Sequence, residues 1–347
     1  MVTIDADAHV IETAKTWSFL GDDEKHFAPI ILDRVSGGTI PQAGPSKTDQ
    51  YWFSGNHIQP KDNADTTSMD ETSREMGNVE ARLAHMDELE IDIQILYPTI
   101  FLVPTARNSA QEVAQYKAYN RWLADIWEMS NGRLRWAACV PTSAINLAAE
   151  EIAFAKAHGA CCVFMRPFEC DRYIGDPYFD PLLRAAADHD LAISIHSGNG
   201  SKYDNLFHEG HNFGRFKLAM ISTFHWLLEN QILAQYPDIR WAFIEASSAW
   251  LPYALGDVEK RLSRKGKRLS DDPLRENNIF VTVELSDDIP AVINRVGDKN
   301  LVVGTDYGHT DTSAQIEALR MLRDREGVAA SSVDQILGPN PVRLYSL

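Results

Sequence analysis

The chain has 347 residues, 44% hydrophobic and 24% charged, enough apolar material for a full-sized core in one large domain or two smaller ones. Lys and Arg number 33 against 49 Asp and Glu, a net charge of −16 that argues against nucleic acid or an anionic membrane as partner. Cys139, Cys161, Cys162 and Cys170 form no C-x-x-C pair, and no apolar run reaches the roughly 20 residues of a membrane-spanning helix. A first strand starting at Val2 leaves no room for a signal peptide, so a reduced, cytoplasmic protein is expected.

The predicted elements repeat one theme. VTIDADAH (2–9) alternates Asp5, Asp7 and His9 with small apolar residues, so in a strand these three share a face. Residues 13–75, rich in Gly, Pro, Asp and Thr, then interrupt the rhythm; an insertion of that length reads as a lid or as a solvent loop, with Tyr51, Trp52, Phe53 and His57 placed to close over a substrate. Further apolar, β-rich runs follow: DIQILYP (92–98), LRWAACVP (134–141), ACCVFMRP (160–167), LAISIHSG (191–198), IRWAFIEAS (239–247), NIFVTVEL (278–285) and LVVGTDYG (301–308). Between them lie stretches such as VEARLAHMDELE and AQEVAQYKAYNRWLADIWEM, with apolar residues three and four apart. Strands alternating with helices imply a parallel sheet, and this number of units predicts one α/β domain over 1–347, a (β/α)8 TIM barrel carrying the 13–75 insertion. A second long connection, 199–216, carries His208 and His211.

Chemistry in such a barrel sits at the C-terminal ends of the strands. Those ends carry Asp7 and His9, Arg166, His196, Glu245, Glu284 and Asp306. Taken singly, each has a structural reading: a hydrogen-bonded His196, or Asp306 and Glu245 capping the helices that follow. Taken together, they would crowd unpaired charges into one barrel mouth, which is costly without a cation. A nitrogen- and oxygen-ligated divalent metal site resolves the crowding. His225, Trp226, Trp122, Trp127, Asn120 and Arg121 fall in helical patterns and read as packing residues.

These residues also resemble a known family. DADAHVIE, IDIQILYPT, the stretch from MRPFECDRYIGDPYF to LAISIH, YPDIRWAFIEASSAWLPYAL, LVVGTDYGHTD and GPNPVRLYSL, in that order, are similar to the strand motifs of the amidohydrolase superfamily. The branch is the amidohydrolase-2 one typified by aminocarboxymuconate-semialdehyde decarboxylase. The resemblance implies His9, His196 and Asp306 as metal ligands, with Asp7 at a position where the family commonly shows His or Glu. Glu245 stands where the decarboxylases usually carry a metal-adjacent His. Binuclear members bridge their metals with a Lys after the fourth strand; here Met165-Arg166-Pro167 stands there, which implies one ion, Zn2+ or Mn2+. Arg166 reads equally as a fork for a substrate carboxylate or enolate and as the partner of Glu169 or Asp171. His309 is a candidate proton shuttle.

The expected activity is metal-dependent hydrolysis of an amide, ester, lactone or activated C–C bond in a small, aromatic or cyclic substrate. Asp306 would take the proton of the metal-activated water, Glu245 or His309 would protonate the leaving group, and Arg166 would help stabilise the oxyanion. The alternative is non-oxidative decarboxylation of an aromatic or enol acid. A barrel that binds without catalysis is a third reading, and it predicts no stoichiometric metal. A homodimer is the default assembly.

Overall fold

The computed structural model describes residues 2–33, 50–55, 57–61 and 69–347. The predicted runs form strands β1 (Ile4–Val10), β2 (Ile93–Pro98), β3 (Leu134–Cys139), β4 (Ala160–Met165), β5 (Ala192–His196), β6 (Trp241–Ile244), β7 (Ile279–Val283) and β8 (Leu301–Val303). They pair in chain order as one parallel sheet. The ring closes where the end of β8 meets β1: the Asp306 amide donates to the Asp7 carbonyl at 2.9 Å, and the His9 amide to the Tyr307 carbonyl at 2.8 Å. Gly304 permits that approach, since a Cβ there would lie 2.2 Å from the Cβ of Asp7. The (β/α)8 barrel read from the alternation is the architecture observed.

Burial on both faces explains why these strands are nearly continuous apolar runs. The intervening helices start where their sequences provide caps. Asn78 accepts from the Ala81 amide at the head of Val79–Glu88, Asn108 from Gln111 at the head of Ser109–Met129, and Asp288 from Ala291 ahead of Ile289–Val296. Trp122 is buried in the core, as its helical spacing implies. The C-terminal helix Pro339–Tyr345 packs back under the ring, where the Tyr345 hydroxyl donates to the Ala6 carbonyl at 2.9 Å.

Within the insertion, short helical turns at Thr16–Phe19 and Lys25–Phe27 precede an antiparallel sheet of Ile30–Asp33, Gln50–Ser54 and His57–Pro60. Tyr51 and Trp52 are buried, and Trp52 packs edge-on to Trp17, which in turn meets Phe101. They anchor the insertion to the barrel wall, whereas Phe53 and His57 lie on its exposed side. Positions 34–49, 56 and 62–68 of the expected lid lie outside the described residues.

Candidate metal centre

β1 turns Asp5, Asp7 and His9 into the barrel, and all three are buried. The Nδ1 of His9 lies 3.2 Å from the carbonyl of Pro98. A carbonyl only accepts, so Nδ1 carries the hydrogen and Nε2 presents its lone pair. At the end of β5, His196 is fixed the same way, its Nδ1 2.9 Å from the carbonyl of Ser197. The two Nε2 atoms face each other at 3.2 Å. Two lone pairs at that distance repel unless a proton or a metal ion lies between them, and burial holds the His9 imidazole below its usual pKa, against protonation.

Two carboxylates complete the cradle. Asp7 Oδ1 is 3.2 Å from His196 Nε2 and 3.5 Å from His9 Nε2, while Asp306 Oδ1 is 3.4 Å from His9 Nε2. Ligand atoms about 2.0–2.2 Å from one ion in tetrahedral array are spaced about 3.3–3.6 Å from each other. Asp7, His9 and His196 thus form a group that could hold one divalent ion, and Asp306 approaches it on the His9 side. Burial opposes ionisation of Asp7, and positive charge at the His196 and His9 nitrogens outweighs it and holds the carboxyl well below its usual range; an ion at the two Nε2 atoms would supply that charge.

Asp306 and Glu245 reach the mouth from residues in the left-handed region, with φ of 53° and 62°. Non-glycine residues occupy that region at a cost, and such strain concentrates at functional sites. Among the described residues Glu245 Oε2 is buried without a hydrogen-bond partner, and the buried Asp306 carboxyl meets that of Asp311. Burial, then the neighbouring Asp311, pushes the pKa of each carboxyl well up. His309 is stacked on His9 at 3.8 Å, with Nδ1 2.8 Å from Asp306 Oδ1 and Nε2 2.8 Å from the Thr99 hydroxyl. The Nδ1 contact is close but out of line for a hydrogen bond, and burial holds this ring well below its usual pKa. A cavity of about 210 Å³ opens beside Asp306, His309 and Asp311, walled on its apolar side by Met69, Ala314 and Ile316.

Other expected residues lie elsewhere. Of the two readings of Arg166, the structure has the ion pair: Nε and Nη2 grip Glu169 at 2.8 and 2.6 Å, and Nη1 donates to the Phe101 carbonyl at 3.1 Å. An open fork for substrate is corrected to a neutralised, buried pair, because Glu169 sits three residues on and is itself only 2% exposed. Asp5 accepts from the Thr305 amide and hydroxyl and from Gln94, so it supports the strand rather than facing the cradle. His225 pairs with Asp257 at 2.8 Å on the outer helix Ala219–Glu229, and Asn120 binds Cys139 and Glu151. His208 and His211 lie in the partly exposed 202–211 segment.

The sequence reading missed two residues. Lys217, on the turn Phe213–Leu218, donates to the Glu245 carbonyl (2.7 Å), the Ser313 hydroxyl (2.7 Å) and Glu284 (3.1 Å), tying three strand ends together. Asp311 brings a carboxylate within reach of Glu245 and Asp306. Neither lies in an apolar run; the only signal was the D-x-x-H-x-D spacing of Asp306, His309 and Asp311.

An amidohydrolase family model matches residues 4–347. The chain belongs to the amidohydrolase family. No curated protein matches it significantly. Among solved structures it is similar to an amidohydrolase from Mycobacterium avium subsp. paratuberculosis K-10, with TM-score 0.80, 18% identity, and 100% of this chain and 98% of that one covered. It is also similar to 5-carboxyvanillate decarboxylase from Novosphingobium aromaticivorans DSM 12444, crystallised with manganese and a nitrobenzoic acid (TM-score 0.71, 18% identity, 100% and 96% covered). A third is 2,6-dihydroxybenzoate decarboxylase from Rhizobium (TM-score 0.70, 15% identity, 100% and 99% covered). At these identities the structural likeness establishes the fold. The family and these neighbours are enzymes, and among the described residues no helix is long and apolar enough to cross a membrane.

Proposed function

We propose that the protein is a hydrolase that uses one divalent ion, Zn2+ or Mn2+, held by Asp7, His9, His196 and Asp306, to cleave an amide, ester or lactone of a small substrate. The observation that carries this reading is the pair of facing Nε2 lone pairs, 3.2 Å apart and flanked by two buried carboxylates. A bound ion there supplies Lewis acidity, polarising a carbonyl and lowering the pKa of a water. The side chains divide the remaining work. Asp306 accepts the proton of the attacking water. Glu245 and His309 are the groups near enough to hand a proton to the leaving group. Thr99 steadies the His309 ring from its other nitrogen.

A neutral substrate is favoured over an acid because the nearby cations are already spent. Arg166 is neutralised by Glu169 and Lys217 by Glu284. Among the described residues, a carboxylate entering a mouth that holds Asp7, Glu245 and Asp306 would find the bound ion as its counter-charge and no unpaired side-chain cation beside it. Decarboxylation of an aromatic acid is the second reading, favoured by the decarboxylases among the structural neighbours. The deciding experiment incubates metal-loaded protein with aromatic acids and their amides, esters and lactones. Carboxylate product and CO2 are measured separately. Hydrolysis lost on chelation is expected; chelation-sensitive CO2 release in its place would reverse the order.

A further inference from the structure

We propose that Arg82, on the helix Val79–Glu88, is a positioning residue for the metal cradle: its guanidinium clamps the seam where β8 closes on β1 and so fixes His9 and Asp306 relative to each other. This role rests on the metal reading above and adds to it a residue outside the mouth. The seam is where the sheet itself does least to place the ligands. Asp7 and His9 lie on one side and Asp306 on the other, joined by the bonds from the Asp306 amide to Asp7 and from the His9 amide to Tyr307. Between β1 and β2, by contrast, pairing runs from Ile4–Ile93 to Val10–Pro98.

Arg82 reaches both sides of this seam. Nη1 and Nη2 both donate to the His9 carbonyl, at 3.4 and 3.3 Å. The guanidinium carbon lies over the Tyr307 ring, 3.4 Å from its centroid. Nε donates to Gln94 Oε1 at 2.7 Å, and Gln94 Nε2 donates to Asp5 at 2.9 Å. Asp5 in turn accepts the Thr305 amide and hydroxyl. One side chain thus ties β1 to β2, and reaches residues 305–307 through a ring on one route and a carboxylate on the other. Three residues along the same helix, His85 Nδ1 meets the Tyr307 hydroxyl at 2.8 Å.

Filling this space does not call for a charge. Arg82 is fully buried, and among the described residues no carboxylate pairs with it directly; Asp5 is reached through Gln94. Arg166 and Lys217, by contrast, each hold a carboxylate. Taking a guanidinium out of water without such a partner is costly, and an apolar side chain would occupy the same volume. What the guanidinium alone adds is a rigid fork that puts two donors on one carbonyl while its flat face stacks on a ring. With Arg82 on its carbonyl, Tyr307 on its amide and Pro98 on Nδ1, His9 is held at three points. The stack also holds Tyr307, the residue directly after the left-handed Asp306. Groups that orient metal ligands in this way are worth roughly 10–100-fold in metal affinity.

The test compares Arg82→Lys, which keeps the charge and loses the fork, with wild type and with Arg166→Met. Affinities of the metal-stripped proteins for Mn2+ and Zn2+ are measured, with the EPR spectrum of bound Mn2+ and the melting of the metal-free forms. Arg82→Lys is expected to weaken ion binding roughly 10–100-fold and to change the Mn2+ spectrum. Arg166→Met is expected to lose stability and keep both its ion affinity and its spectrum. Tyr307→Leu removes the stacking face with Arg82 still in place and is expected to weaken binding in the same direction; it decides the matter if Arg82→Lys does not fold. Wild-type affinity and spectrum in a folded Arg82→Lys, or wild-type affinity in Tyr307→Leu where Arg82→Lys is unfolded, overturns the role and leaves the metal reading standing. Wild type that binds neither ion overturns both.

Discussion

Asp5 and Asp7 stand two residues apart on the same inward face of β1, both buried, yet they sit in opposite surroundings. Asp5 accepts hydrogen bonds from the Thr305 amide, the Thr305 hydroxyl and Gln94 at 2.6–2.9 Å. Burial raises its pKa to about 6 against the pull of those donors. One step up the barrel, Asp7 meets two imidazole nitrogens, and Glu245 keeps an oxygen with no donor among the described residues. The layer below the mouth is closed by the protein's own hydrogen bonds; the mouth is not. A buried carboxylate supplied with donors needs no further partner, whereas one denied them gains most from a cation.

Breaking the mouth should have the largest effect. Asp306→Asn or His196→Ala is expected to lose the bound ion and to lower kcat/KM by at least about 10³-fold, while the melting temperature of the metal-free form changes little. Metal content and melting curves check this together. Breaking the scaffold should do the reverse. Arg166→Met strands Glu169 in the interior and is expected to cost about 3–5 kcal/mol of stability, read by urea unfolding. It should leave the preference between an acid and its amide unchanged; a shift in that preference at unchanged stability would return Arg166 to substrate binding.

A third test uses Glu12, a buried carboxylate just past the C-terminal end of β1 whose pKa burial raises to about 7 from 4.5, opposed by its amide bonds with Thr99 and Ile100. Between those values the folded chain holds a proton that the unfolded chain has released. Stability should therefore fall by about 3 kcal/mol as pH rises from about 4.5 to 7, then level off. Glu12→Gln removes this contribution, so the stability difference between wild type and variant should follow that slope; a difference flat across the range would refute it. The smallest effect is expected from Thr99→Val, which frees His309 Nε2. A roughly 10-fold loss in kcat with KM and metal content preserved would mark a positioning role, whereas a matching loss of metal content would not.

Much of this contrast was legible in the sequence. Apolar runs of strand length separated by helical periods specified the barrel, and Asp7, His9 and His196, read at run ends as candidate ligands, lie together in the structure with Asp306 beside His9. What stayed hidden depends on contacts between distant segments. The Arg166–Glu169 pair was one of two readings of the same three-residue spacing, and only burial separates them. Lys217 sits in a helical, mixed-polarity stretch and looks like a surface lysine until Glu284 and Ser313 arrive from other strands. The left-handed backbone at Glu245 has no sequence signature, because Glu is not among the residues that favour that region, as Gly, Asn and Asp are.

The most direct test of the account is the metal content of four proteins prepared alike: wild type, Asp5→Asn, Asp7→Asn and Asp306→Asn. The account predicts that Asp5→Asn keeps the wild-type ion content at reduced stability, while Asp7→Asn and Asp306→Asn lose ion at nearly unchanged stability of the metal-free form. Full ion content in Asp306→Asn, or ion loss confined to Asp5→Asn, would contradict it.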